Sequence, residues 1–281
     1  LVNQVRDVVV DQLHRNPKKA EKILHKIEET EKLRRELQSV KKMARQRAKA
    51  VSIRIPQLKD CKVHLNKKGR KGTQSTIFIT EGQSAGGSFV SCRDVNTQAI
   101  FTLKGKPLNV CDLKRDALYK NDEIYNLMRG LNIEDSIERL RYQNVVLATD
   151  ADVDGMHIRN LLITLFLRFF EPLVHDGHLH ILETPLFRVR NKVETIYCYS
   201  EEERDGALKR LSRGVEVTRF KGLGEISPHE LKGFIGREMR LTPVVINGNG
   251  SIPEILTFYM GRNTQERRNY IMENLIVDTT P

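Results

Sequence analysis

Between Asn144 and Thr149 the chain runs Asn-Val-Val-Leu-Ala-Thr, and Asp150-Ala-Asp152-Val-Asp154-Gly155 follows at once. A short, uncharged, β-branched run suits a strand buried on both faces, and such a strand needs helices above and below it. The acids come at steps of two. In an extended segment they share one face, so three carboxylates converge beyond the strand's end. Converging carboxylates repel unless a cation lies among them or some take up protons. A hard, oxygen-seeking divalent ion such as Mg²⁺ is the natural filler. An EF-hand loop also begins DxDxDG, but it needs a bidentate Glu at its twelfth position, where this chain has Leu161, and a helix before it. Local capping explains one Asp and leaves the other two without a purpose.

The flanking segments repeat the pattern. Thr76–Thr80, Ala99–Leu103 and Gly177–Glu183 read as strands, with helices over Asp122–Leu131 and Met156–Phe170. Strands alternating with helices predict an α/β fold with a parallel sheet flanked by helices. Sites in such sheets form beyond the carboxyl ends of strands. Glu81-Gly82 occupies one such end and Asp150 another, so on neighbouring strands they would share one metal. Lys104-Gly-Lys106 follows a third strand and sets cations beside the acids. Ser84-Ala-Gly-Gly-Ser88 is small enough for a helix to pack closely or for a phosphate backbone to approach, but it lacks the GK[ST] of a Walker A loop. His157, His175, His178 and His180 have no further ligand set and read as partly exposed or hydrogen-bonded histidines. After Pro185 the pattern changes to β-like Arg188–Tyr199, a charged helix over Ser200–Leu211, and the turn Lys221-Gly-Leu-Gly-Glu225, which predicts an appended mixed α+β tail.

Ahead of the sheet, Val2–Ala50 is helical in pattern, broken or restarted at Asn16-Pro17. Its sparse apolar positions (Ile23, Leu24, Ile27, Leu33, Leu37, Val40, Met43) predict one narrow packed stripe. Pro56–Gln74 sets six Lys or Arg against Asp60 alone and reads as a mobile basic linker. The chain's 47 Lys+Arg exceed its 36 Asp+Glu, a net charge of +11 that calls for a polyanion, nucleic acid before membrane. The most apolar stretch, Ile158–Phe170, is too short and too polar to span a bilayer. Leu1–His14 mixes charge into its apolar run, unlike a signal peptide. The lack of an initiating Met suggests a fragment. Cys61, Cys92, Cys111 and Cys198 form no CxxC pair or zinc ladder and read as free thiols of a reducing cytoplasm.

Taken together, Glu81-Gly-Gln-Ser-Ala-Gly-Gly87, Gln98-Ala-Ile-Phe-Thr-Leu-Lys-Gly-Lys-Pro-Leu-Asn109, the Asp150–Gly155 acids and Arg219-Phe-Lys-Gly-Leu-Gly-Glu225 resemble the B subunits of bacterial type IIA topoisomerases. The resemblance runs in order over nearly all of residues 75–275 and ends in Phe258-Tyr-Met-Gly261, Arg267-Arg268 and Glu273-Asn274. It leans toward the topoisomerase IV branch, with gyrase as the alternative. It implies the end of a transducer with its connecting helix over residues 1–55, the basic linker over 56–74, a Toprim domain over 75–188 and the tail over 189–281. It implies catalytic roles for Glu81, Asp150 and Asp152, which hold Mg²⁺ (Mn²⁺ or Ca²⁺ substituting), with Asp154 as a further acid. Lys104, Lys106, Asn109, Arg219 and Lys221 would contact double-stranded DNA. The nucleophilic tyrosine would lie on a partner A subunit in an A2B2 heterotetramer, and ATP would bind a module upstream. The implied setting is the bacterial cytoplasm, at the nucleoid. One position departs: Gln83 stands where the family carries Asp, removing an acid near the DNA while the principal ligands remain. Two other functions compete, a different Toprim primase or nuclease acting without a partner, and a non-enzymatic basic DNA-binding module.

Overall fold

The computed structural model describes residues 10, 13–50, 54–67, 71–134, 136–211, 214–246 and 251–275. Tertiary contacts divide the chain into two units, Leu1–Val51 and Ser52–Pro281. In the first, helix α1 spans Pro17–Ala50. Proline suits a first helical position, because its missing N–H has no partner there anyway. The Asn16 carbonyl accepts from the amides of Lys19 and Ala20, so the expected break is where α1 begins. The predicted stripe does not pack at Ile23, Leu24 and Ile27, which are about half exposed. The Val2–Val9 pattern and the side chains of Leu33, Leu37, Val40 and Met43 lie outside the described residues.

In chain order the second unit holds β1 (Leu58–Lys59), β2 (Thr76–Glu81), α2 (Gly82–Cys92), β3 (Gln98–Leu103), α3 (Arg115–Lys120), α4 (Asp122–Leu131), β4 (Asn144–Ala148), α5 (Val153–Phe169), α6 (Glu171–His175) and β5 (Leu179–Glu183). Then come β6 (Phe187–Arg190), β7 (Thr195–Cys198), α7 (Glu201–Leu211), β8 (Glu216–Arg219), α8 (Pro228–Phe234), β9 (Arg240–Pro243), α9 (Ile252–Met260) and α10 (Thr264–Asn274). The main sheet has six strands in the order β1-β3-β2-β4-β5-β9. Its four central strands are parallel, with Thr80 beside Thr102 on one side and beside Ala148 on the other. The expected α/β class is therefore observed. All six residues of β3 are buried, as a strand covered on both faces requires.

One core fills the space between this sheet, α2 and α8. Phe78, Phe89, Ile100, Val146 and Leu182 meet Phe220, Leu223, Ile226, Leu231 and Ile235 there. Burying a side chain of this size contributes about 1.5–3 kcal/mol, so the tail is part of the core's stability. Two expectations are corrected here. The tail over 189–281 is not merely appended, because β9 pairs antiparallel with β5 and closes that edge of the sheet. The linker over 56–74 is docked wherever it is described. Leu58 and Lys59 pair with β3, and the Leu65 amide donates to the Arg141 carbonyl. Asp60 accepts from Tyr142 and Arg141, which fastens the basic segment to the sheet edge. A smaller three-stranded sheet, β7-β6-β8, packs Phe187, Val189 and Cys198 against Ala207 and Leu211 of α7.

Candidate metal centre and nucleic-acid face

Glu81 is the last residue of β2 and the residue preceding α2. Gly82 turns the chain there with φ of +67°, a left-handed conformation that glycine adopts without strain. The register Thr80↔Ala148 sets Glu81 beside Thr149, one residue from Asp150. The two strands are neighbours, so Glu81 and Asp150 stand at adjacent carboxyl ends, as the sequence predicts. Burial, then Asp150, Asp152 and Asp154, raise the Glu81 pKa against a backbone hydrogen bond from Asp150. Burial also raises that of Asp150, with Asp152 and Glu225 adding to it and the Leu223 amide opposing.

Asp152 caps α5, its Oδ1 accepting from the Gly155 amide at 2.7 Å. Gly155 is tightly confined: a Cβ there would lie 2.2 Å from the Asp150 carbonyl oxygen. Asp154, exposed in the first turn of α5, accepts from Lys106 Nζ at 2.7 Å, and this bond lowers its pKa. Lys106 thus ties the loop after β3 to the acidic loop after β4.

Whether this donor set suits a cation is tested by one atom. Glu81 Oε2 is buried and has no hydrogen-bond partner among the described residues. An acceptor in that state costs about 1–3 kcal/mol, and a bound cation removes the cost. Hard carboxylate oxygens from Glu81, Asp150 and Asp152 fit a hard divalent ion. These oxygens do not all come within 4.8 Å of one another. Among the described residues the one cluster that does is Asp60, Cys61 and His64. That cluster is a hydrogen-bond network. Arg141 bonds both Asp60 and His64, and a guanidinium among the ligand atoms repels a metal ion.

The loop Lys221–Glu225 reaches the same place. The Leu223 amide donates to Asp150 Oδ1 at 2.8 Å. Spacing alone does not reveal this contact between positions far apart in the chain. Lys221 is exposed, and its amide donates to Glu225 Oε2 at 2.9 Å. Arg219 is exposed at the end of β8, its guanidinium 5.8 Å from the Phe187 ring centroid. Lys104 is exposed beside the site, its amide donating to Glu123. Asn109, expected among the DNA contacts, is exposed. Its Nδ2 donates to the Met260 carbonyl at 2.8 Å and its Oδ1 accepts from the Cys111 amide, so its amide group ties α9 to this loop.

Ser84-Ala-Gly-Gly-Ser88 lies inside α2 rather than in a phosphate-binding turn. Gly86 is needed for close packing, because a Cβ there would lie 2.3 Å from Thr102 Oγ1. Gln83 is exposed in the first turn of α2. His178 Nδ1 donates to the Gln143 carbonyl and His180 Nδ1 to the His178 carbonyl, so these two histidines are hydrogen-bonded. All four cysteines are free thiols. Among the described residues no helix is long and apolar enough to cross a membrane.

Comparison with known proteins gives the following. The Toprim domain family matches residues 76–184, and the family described as DNA gyrase B subunit, carboxyl terminus, matches residues 212–272. The chain is 57% identical to the B subunit of DNA topoisomerase 4 from Borreliella burgdorferi, over 98% of this chain and 46% of that protein. It is 34% identical to the corresponding topoisomerase 4 protein of Francisella tularensis and 34% identical to the DNA gyrase B subunit of Archaeoglobus fulgidus, covering 43% and 41% of them. It therefore spans less than half the length of the curated relatives it matches. A crystal structure of the Plasmodium falciparum topoisomerase II DNA-binding, cleavage and re-ligation domain superposes with a TM-score of 0.66 at 26% identity, over 80% of this chain and 32% of that one. The Toprim fold is a divalent-metal-binding fold, in accord with the acids described.

Proposed function

Because the chain belongs to the family of type IIA topoisomerase B subunits, in the part that carries the Toprim and gyrase B carboxyl-terminal domains, we propose that it is the metal-dependent cleavage and religation region of a topoisomerase IV protein of that family. Identity favours topoisomerase IV over gyrase through the Borreliella burgdorferi protein, at 57% against 32–35% for the gyrase relatives, while the Francisella tularensis topoisomerase 4 protein stands at 34%. The observation that carries the reading is the buried, unpartnered Glu81 Oε2 at a strand end beside Asp150.

Glu81, Asp150 and Asp152 would hold Mg²⁺, with Asp154 supporting. Bound there, the ion would stabilise charge on the scissile phosphate and on the departing 3′ oxygen. Glu81, at the strand end beside Asp150, would take and return the proton of that oxygen. Lys104, Lys221 and Arg219 present exposed cations for the DNA backbone, and Lys106 joins them when it leaves Asp154. The nucleophilic tyrosine would come from an A subunit in an A2B2 assembly acting on double-stranded DNA in the bacterial cytoplasm. Two observations set aside four of the seven tyrosines as nucleophiles. Tyr119, Tyr125 and Tyr142 are buried. Burial and a hydrogen bond to Glu230 push Tyr197 up to about 12, the wrong direction for a phenolate.

The test uses the full-length protein reconstituted with its A subunit and relaxed plasmid. Glu81→Ala should abolish Mg²⁺-dependent double-strand cleavage while leaving DNA binding intact, and unchanged cleavage would sink the assignment. Decatenation without negative supercoiling is the expected activity. ATP-dependent introduction of negative supercoils would reassign the chain to gyrase.

A further inference from the structure

Resting on that reading of the acids, we propose that the turn Gly222–Glu225 is a positioning element for Asp150, so that the metal centre is complete only when the tail is docked on the Toprim sheet. The turn lies outside residues 76–184, the span of the Toprim match, yet it grips the carboxylate from two sides. The Leu223 amide holds Oδ1 at 2.8 Å, and the Gly222 backbone lies so close that a Cβ would sit 2.8 Å from Oδ2. The hydrogen bond on Oδ1 holds the carboxylate, and the nearby Gly222 backbone leaves no room for a side chain beside Oδ2.

The turn is itself braced. Gly224 is pressed against α2, where a Cβ would lie 2.7 Å from Ser84 Oγ. Glu225 closes the loop by accepting from the Lys221 amide. Phe220, Leu223 and Ile226 are buried in the core shared with Phe78, Phe89 and Val146. A displacement of the tail therefore moves the donor away from the metal ligand.

Gly222 permits a clean experiment. Its φ of −134° and ψ of 154° are ordinary extended backbone, so alanine fits the conformation. What alanine lacks is room, and the atom it meets is the mobile end of Asp150. The added methyl should therefore turn the carboxylate and leave the fold intact.

The full-length protein, reconstituted with its A subunit, is titrated with Mn²⁺ in the absence of DNA and followed by electron paramagnetic resonance. Gly222→Ala should weaken Mn²⁺ binding about tenfold or more and raise the Mg²⁺ concentration needed for cleavage, with cleavage recovering at high Mg²⁺. Gly206→Ala, on α7 with nothing within 4 Å of the added carbon, should leave the titration unchanged. Asp150→Ala separates two failures. If it too keeps wild-type Mn²⁺ binding, the assignment of the acids is at fault. If it loses binding while Gly222→Ala keeps it, positioning by the turn is overturned. Hydrogen exchange gives a second measurement that does not depend on Gly222→Ala folding. The Leu223 amide should exchange faster in Asp150→Ala than in the wild type, and equal rates would overturn the proposal.

Discussion

At the residue scale, the fold around the site sets particular groups where they fit and few others would. Gly82 is one. Its φ of +67° belongs to the left-handed region, and nothing lies within 4 Å of a Cβ built there. The cost of Gly82→Ala is then backbone strain alone, about 1–2 kcal/mol, readable as a lower urea midpoint with an unchanged m-value. Glu230 is another, a charge held in place. Burial alone would raise its pKa, but hydrogen bonds from Ser227, Arg188 and Tyr197 outweigh it and hold the pKa to about 2. A depressed carboxylate stabilises the fold above its unfolded pKa, near 4.5, and loses that contribution as pH falls toward 2. Wild-type unfolding free energy should therefore drop across that window, while Glu230→Gln, weaker at pH 7, should show a flatter profile. Legibility also divides at this scale. The strand-end positions of Glu81 and Asp150 were readable because apolar β runs end there, but an extended run of acids at steps of two is not what forms, since α5 begins at Val153, takes Asp152 as its cap and carries Asp154 in its first turn. The engagement of Asn109 with Met260 was not readable, because a side-chain amide takes whichever partner the fold brings to it.

At the element scale, the sheet was written in its own runs. Thr76–Thr80, Ala99–Leu103 and Asn144–Thr149 are apolar on both faces, and only a covered parallel sheet uses such segments. The linker misled because a stretch dense in lysine gives no sign that Asp60, Tyr142 and Arg141 will fasten it. The tail misled for a related reason. The short strand β9 carries too few residues to announce that it pairs with β5. Its contribution to the core is nonetheless measurable. Leu231 on α8 is fully buried, so Leu231→Ala should cost about 2–5 kcal/mol in denaturant unfolding. The same variant should raise the Mg²⁺ requirement for cleavage, because α8 supports the turn that holds Asp150.

At the scale of the whole molecule, the net charge of +11 and the acidic centre are parts of one design. On the proposed function, basic segments would attract and hold a polyanion, while a few carboxylates would keep one place able to take a cation. Affinity for duplex DNA should fall steeply with salt, because each neutralised phosphate releases counterions. In the reconstituted holoenzyme, Lys104→Ala should weaken binding across all sequences and reduce the slope of log K against log salt by about one. An unchanged slope would remove Lys104 from the DNA face. The role of the acids is decided by Mg²⁺-dependent double-strand cleavage with Asp150→Ala in the full-length protein assembled with its A subunit. Cleavage should be lost with DNA binding retained; cleavage at the wild-type level, at the same Mg²⁺ concentration, would remove Asp150 from the metal centre.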